Sequence, residues 1–153
     1  MFFPDKKLYL FDTYEGFDQF DIDYEFGLGN ESYNKGKFTH KELFANTDIN
    51  LVMKKMKYPS NVEIRKGYFP ETAKDIKDHF CFVNLDMDLY LPMLNGIRFF
   101  WDKVVKNGCI LLHDYFRSDL PGVKAAVDMF EKERGFIIPK TPIGDGCSIA
   151  LLK

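Results

Sequence analysis

Cysteine is scarce in this chain of 153 residues, and Cys81, Cys109 and Cys147 lie far apart. An odd count at wide spacing excludes a disulfide framework and a clustered zinc site. The apolar, strand-like flanks predict reduced, buried thiols of a cytosolic protein. Long hydrophobic runs are also missing, and none approaches the roughly 18 residues that a membrane span needs. The stretch MFFPDKKLYLF is too short and wrongly ordered for a signal peptide, so the expected location is the cytoplasm. Charge of one sign does not dominate. A net charge of −2 gives no electrostatic footing for nucleic acid or an anionic membrane, and neither is expected as a partner. Internal repeats and low-complexity segments are absent. GLGN, starting at Gly27, is a poor glycine-rich loop, because no strand precedes it and no clear helix follows.

Aromatic residues are plentiful, with 16 Phe and 8 Tyr in a chain that is 46% hydrophobic. That is enough for a real core, and residues 1–153 are expected to form a single domain. Strand-like runs are Lys7–Asp12, Asn61–Gly67, Phe80–Asp86, Cys109–Asp114, Gly135–Thr141 and Cys147–Lys153. Helix-like runs lie between them. NTDINLVMKKM offers Asn46 or Thr47 as N-cap, PETAKDIKDHF is short, and two longer runs extend from Pro92 to Gly108 and from Pro121 to Gly135. Gly144-Asp145-Gly146 is a hairpin signal between the last two strands. The segment Gly16 to Lys41 is polar, aromatic and acidic without clear periodicity. It reads as a lid or insertion, about 16–45, with little structure of its own. Trp101, within FFWDKVV, is expected to pack on a helix face, and His40 and His79 to lie at the surface.

Strands alternating with helices predict right-handed crossovers and a mostly parallel α/β sheet, closed by an antiparallel hairpin. In such sheets ligands sit beyond the carboxyl ends of the strands. Asp12, Gly67, Asp86 and the pair His113-Asp114 all fall at such ends. VNLDMDLY is the most telling stretch, because Asp86 and Asp88 follow an apolar run. Charged groups in a sheet interior are costly unless paired or metal-bound. In an extended segment the two carboxylates point to one side, so one can hold a divalent metal while the other faces a substrate hydroxyl. Plainer readings are a carboxylate pair held by backbone donors and a hydrogen-bonded histidine at a strand end.

LFDTYEGF, KGYFPET, NLDMDLYLPMLNGI and GCILLHDY, taken in order, resemble the successive motifs of the macrocin O-methyltransferase (TylF-type) family. The likeness runs from about Lys7 to the C-terminus. It implies a Rossmann-like class I methyltransferase sheet that uses S-adenosylmethionine and Mg2+ to methylate a sugar hydroxyl on a small-molecule acceptor. Carried onto this chain, Asp86 and Asp114 become metal ligands and Asp88 the general base. Asp12 matches the acidic residue near the cofactor ribose, while Gly67 and Tyr68 border the adenine. His113 stands where the family usually shows Asp, which admits a divalent metal other than Mg2+.

The same resemblance implies a first strand and a glycine-rich loop that this sequence lacks. Removing that central strand leaves two interior strands without ladder partners. The expected explanations are a fragment of a longer reading frame, which is favoured, a partner chain that supplies the strand, or a sheet that re-pairs. Homo-oligomerisation stays open. Two other functions compete with methyl transfer: a non-catalytic remnant or subunit, and a metal-dependent hydrolase using Asp86, His113 and Asp114. The hydrolase lacks a phosphate-cradling loop and further histidines.

Overall fold

A computed structural model describes residues 5–27 and 44–153. Their elements are β1 (Leu8–Asp12), α1 (Gln19–Gly27), α2 (Ile49–Lys55), β2 (Val62–Lys66), β3 (Phe80–Leu85), α3 (Tyr90–Trp101), β4 (Val104–Leu112), α4 (Pro121–Arg134), β5 (Lys140–Pro142) and β6 (Ile149–Leu152). Short 3-10 turns occupy Pro59–Asn61 and Glu71–Ala73. β1 and β2 pair in parallel as one sheet. The second sheet has the order β3-β4-β6-β5, with β3 and β4 parallel and the final hairpin antiparallel.

β1 and β3 each have one laddered edge and do not pair with each other among the described residues. Side chains bridge the seam instead. Tyr9 donates its hydroxyl to Asp78 Oδ2 at 2.6 Å and meets Phe80 edge-on at 5.9 Å. Phe11 contacts Phe69 at 5.6 Å and Phe100 at 6.0 Å between ring centroids. Among the described residues the sheet does not re-pair across this seam.

The core lies where α3 and α4 cover the larger sheet. Met93, Ile97 and Phe100 share one face of α3, and Val123, Val127 and Phe130 share one face of α4; all six are buried. These spacings are those of an amphipathic helix. They close on Leu85, Ile110 and Leu112 of the strands, also buried. Trp101 packs edge-on against Phe130 at 5.8 Å, in keeping with a structural role.

Several local expectations give way. The helix predicted from Pro92 to Gly108 starts at Tyr90 and ends at Trp101, where Lys103 N–H donates to Phe100 carbonyl. VVKNG beyond it is irregular strand, favoured by two β-branched valines and accommodated by a register shift between β3 and β4. Gly108 permits it, because an added Cβ would lie 2.9 Å from the Cys81 carbonyl oxygen. The N-cap of α2 is Asp48, whose side chain accepts from Asn50 N–H at 2.7 Å, and neither Asn46 nor Thr47. PETAKDIKDHF yields only the turn at Glu71–Ala73, and the strand expected over Gly135–Thr141 shrinks to Lys140–Pro142. The thiols are free but not buried: Cys81 is exposed, and Cys109 and Cys147 are half-buried.

The segment expected to lack structure contains α1. Its buried residues are Asp21, Ile22 and Glu25, so two of three are acids, and a hydrophobic pattern was not there to be read. Glu25 Oε2 accepts from Tyr90 N–H at 2.7 Å, satisfying an open donor at the start of α3. Most of GLGN, and His40, lie outside the described residues.

Candidate cation and cofactor cleft

The carboxyl ends of β1, β2, β3 and β4 border one cleft of about 530 Å³. Asp12, Gly67, Tyr68, Asp86, Asp88, His113 and Asp114 all line it. Register explains the central group. Leu85 sits opposite Leu112, so Asp86 and His113 emerge side by side, and His113 N–H donates to Leu85 carbonyl at 3.0 Å.

Past that point both chains turn sharply. Asp88 has φ 58° and Asp114 φ 60°, left-handed conformations that Asp tolerates better than most residues. Such strain concentrates at functional sites. The segment through Asp88 is thus not extended, contrary to expectation, and the turn itself converges the carboxylates. One oxygen each from Asp86, Asp88 and Asp114 lie within 4.8 Å of one another.

The electrostatics are those of crowded negative charge. Burial, a hydrogen bond toward Asp114 and the nearby Asp86 push Asp88 up to about 7. Burial opposes charge on His113, yet the Asp114 and Asp86 carboxylates hold its pKa above the ordinary value. His113 Nδ1 lies 3.1 Å from Asp86 Oδ1 and 3.0 Å from Asp114 Oδ2. Neither contact is aligned as a hydrogen bond, so buried Nδ1 and buried Asp114 Oδ1 are both left without a hydrogen-bond partner. Orphaned buried polar atoms in an acidic cluster fit a cation, and the mainly oxygen donor set suits a hard one.

The opposite wall is built from β1 and β2. Asp12 Oδ1 accepts from Tyr14 N–H at 2.6 Å, and Gly67 N–H donates to Asp12 carbonyl at 2.9 Å. Gly67 has φ 133°, and an added Cβ would meet Thr72 Cγ2 at 2.9 Å, so only glycine fits this turn. Tyr68 keeps its ring on the cleft by donating its hydroxyl to Asp21 Oδ1 at 2.9 Å. Phe69 instead stacks on Phe100 at 5.6 Å. A carboxylate, an aromatic ring and an open backbone turn on one wall fit a nucleoside-bearing cofactor.

Sequence reasoning missed Asp21 and Arg117. Burial pushes Asp21 up to about 6, although the Tyr68 hydroxyl opposes the shift. Arg117 is paired with Asp119 and lies 3.6 Å from Asp114 Oδ1, which makes it the cationic edge of the acidic cluster. The only available signal was an acidic i, i+4 pair, Asp21 and Glu25, flanking Ile22.

A mixed α/β sheet with a polar cleft at its strand ends is the arrangement of Rossmann-like methyltransferases. Residues 2–149 match the model of the Macrocin-O-methyltransferase (TylF) family, and the chain belongs to that family. The structure of the O-methyltransferase NovP superposes with a TM-score of 0.76 at 18% identity, covering 97% of this chain and 60% of that one. CalS11, a calicheamicin methyltransferase, gives 0.70 at 15% identity, covering 99% of this chain and 62% of that one. The apo structure of CalS11, described as a TDP-rhamnose 3'-O-methyltransferase of calicheamicin biosynthesis, gives 0.58 at 12% identity over 99% of this chain and 60% of that one. At these identities the likeness is one of fold. The chain thus spans about 60% of the length of these structures. Among curated proteins, none matches the sequence. No helix of the described residues is long and apolar enough to cross a membrane.

Proposed function

We propose that this chain carries the cation- and acceptor-binding side of an S-adenosylmethionine-dependent O-methyltransferase that acts on a sugar hydroxyl. The observation that supports it most is the convergence of Asp86, Asp88 and Asp114 around two orphaned buried atoms. S-adenosylmethionine, when bound, supplies an electrophilic methyl group, and a divalent cation such as Mg2+ supplies positive charge that favours the ionised form of a nearby hydroxyl.

The residues divide the remaining work. Asp86, Asp114 and His113 hold the cation. Asp88 takes the acceptor proton, a general-base role with a usual contribution of about 10²–10⁴-fold. Asp12 accepts from ribose hydroxyls, while Tyr68 and the Gly67 turn border the adenine. Holding the reacting atoms in line on this rim contributes the rest. Membership of the macrocin O-methyltransferase family and the fold likeness to CalS11, a TDP-rhamnose 3'-O-methyltransferase, support a sugar acceptor.

Calorimetry with S-adenosylhomocysteine, with and without Mg2+, tests the reading. Binding strengthened by Mg2+ is expected. That β1 and β3 each have one edge without a ladder partner among the described residues favours one second reading, a subunit that binds no cofactor until a further segment joins it. Absence of any heat from this chain would select that reading over the first.

A further inference from the structure

We propose that His113, Asp114 and Cys147 form a second cation position, for a thiophilic divalent ion such as Zn2+ or Co2+. It shares Asp114 and His113 with the first cation position, Cys147 being its own donor, and so rests on the cation reading above. One donor atom from each of the three residues lies within 4.8 Å of the others. Cys147 Sγ stands 3.5 Å from His113 Nε2. Tetrahedral zinc with ordinary Zn–S and Zn–N bonds sets such ligand atoms about 3.5 Å apart.

The thiol is held in place from both sides. Cys147 N–H donates to Asp145 Oδ1 at 3.0 Å, and its carbonyl accepts from Phe116 N–H at 3.1 Å. Ser148 ties the same turn down, donating its N–H and hydroxyl to Asp145 at 2.8 and 2.6 Å. The third donor is buried in the same corner: Asp114 is 4% exposed, and its Oδ1 receives no hydrogen bond and only the Arg117 guanidinium at 3.6 Å. His113 is two-faced, with Nδ1 toward Asp86 and Asp114 and Nε2 toward Cys147. Oxygen donors on one side suit Mg2+, whereas imidazole and thiolate on the other suit softer ions.

The test is titration of the 153-residue chain with Co2+ in a Cys81→Ser background, which removes the exposed thiol. Thiolate-to-cobalt charge transfer is followed in the near ultraviolet, and Zn2+ and Mg2+ affinities are measured in parallel. A charge-transfer band is expected, and Cys147→Ser should abolish it. The same change should weaken Zn2+ by at least about tenfold, since even outer partners of a metal site are worth that much. Mg2+ affinity should stay unchanged, and His113→Gln should weaken Zn2+ while the circular dichroism without metal is preserved. Co2+ binding without the band, or Zn2+ affinity indifferent to Cys147→Ser, would leave a thiol–imidazole hydrogen bond only and overturn the proposal. If Mg2+ also fails to bind, the acidic-cluster reading falls with it; if Mg2+ binds normally, only the second position falls.

Discussion

Asp88→Asn is the most informative single change, because its effect has opposite signs with and without a cation. In the free protein the Asp88 carboxyl is pushed from 3.8 up to about 7 by burial, Asp114 and Asp86. The unfolded chain releases this proton near 3.8, whereas the folded chain keeps it until about 7. Stability therefore falls as pH rises through that window and is level above it. At 1.36 kcal/mol per pH unit the ceiling is about 4 kcal/mol, and partial solvent exposure brings the expected cost to roughly 2 kcal/mol. Asn carries no such cost, so the variant should match the parent near pH 4 and exceed it by roughly 2 kcal/mol at pH 8. Mg2+ should reverse the order. A cation at 100 times its dissociation constant adds about 2.7 kcal/mol to the parent, and the variant should gain much less. Urea denaturation at both pH values, with and without Mg2+, measures all four terms. If Asp88→Asn destabilises the protein equally at both pH values, or if Mg2+ stabilises both proteins alike, the clustered-carboxylate reasoning fails.

Glu25→Ala leaves Tyr90 N–H without its charged acceptor and should cost about 1.5–3 kcal/mol, seen as faster amide exchange at the start of α3. Gly122→Ala would bring a Cβ within 2.3 Å of Glu25 Oε1, so loosening of α1 with a lowered melting temperature is expected. Asp21→Asn should remove a component of stability that declines as pH rises from about 4 to about 6, because burial holds that proton in the folded state; paired urea curves across this range report it. Gly67→Ala should lower S-adenosylhomocysteine affinity measured by calorimetry, since φ 133° and the Thr72 contact forbid a side chain there.

Much of this was legible along the chain. Leu8–Asp12, Val62–Lys66 and Phe80–Leu85 are short runs rich in apolar or β-branched residues that end in, or run straight into, a polar residue, and each became a strand within a residue or two of its expected bounds. Pro121 and Gly135 marked the ends of α4 correctly, with Gly135 taking the left-handed position at φ 71°. Such signals are local, since backbone preference and side-chain period need no distant partner. Where the partner decided, local reading failed. VVKNG continued a helical pattern until pairing with β3 claimed it, and α1 had no apolar stripe because carboxylates are what it buries.

By itself the sequence determined the residue types at the strand ends: three acids and a histidine that no ordinary core would keep. Only tertiary structure decided that they meet. The Leu85–Leu112 register set Asp86 beside His113, and two left-handed turns swung Asp88 and Asp114 inward. Cys147, distant in sequence and expected only as a buried thiol, came to His113 through the β6 hairpin for the same reason. Electrostatic crowding depends on distance through space, and strand pairing sets that distance between residues whose separation along the chain carries no hint of it.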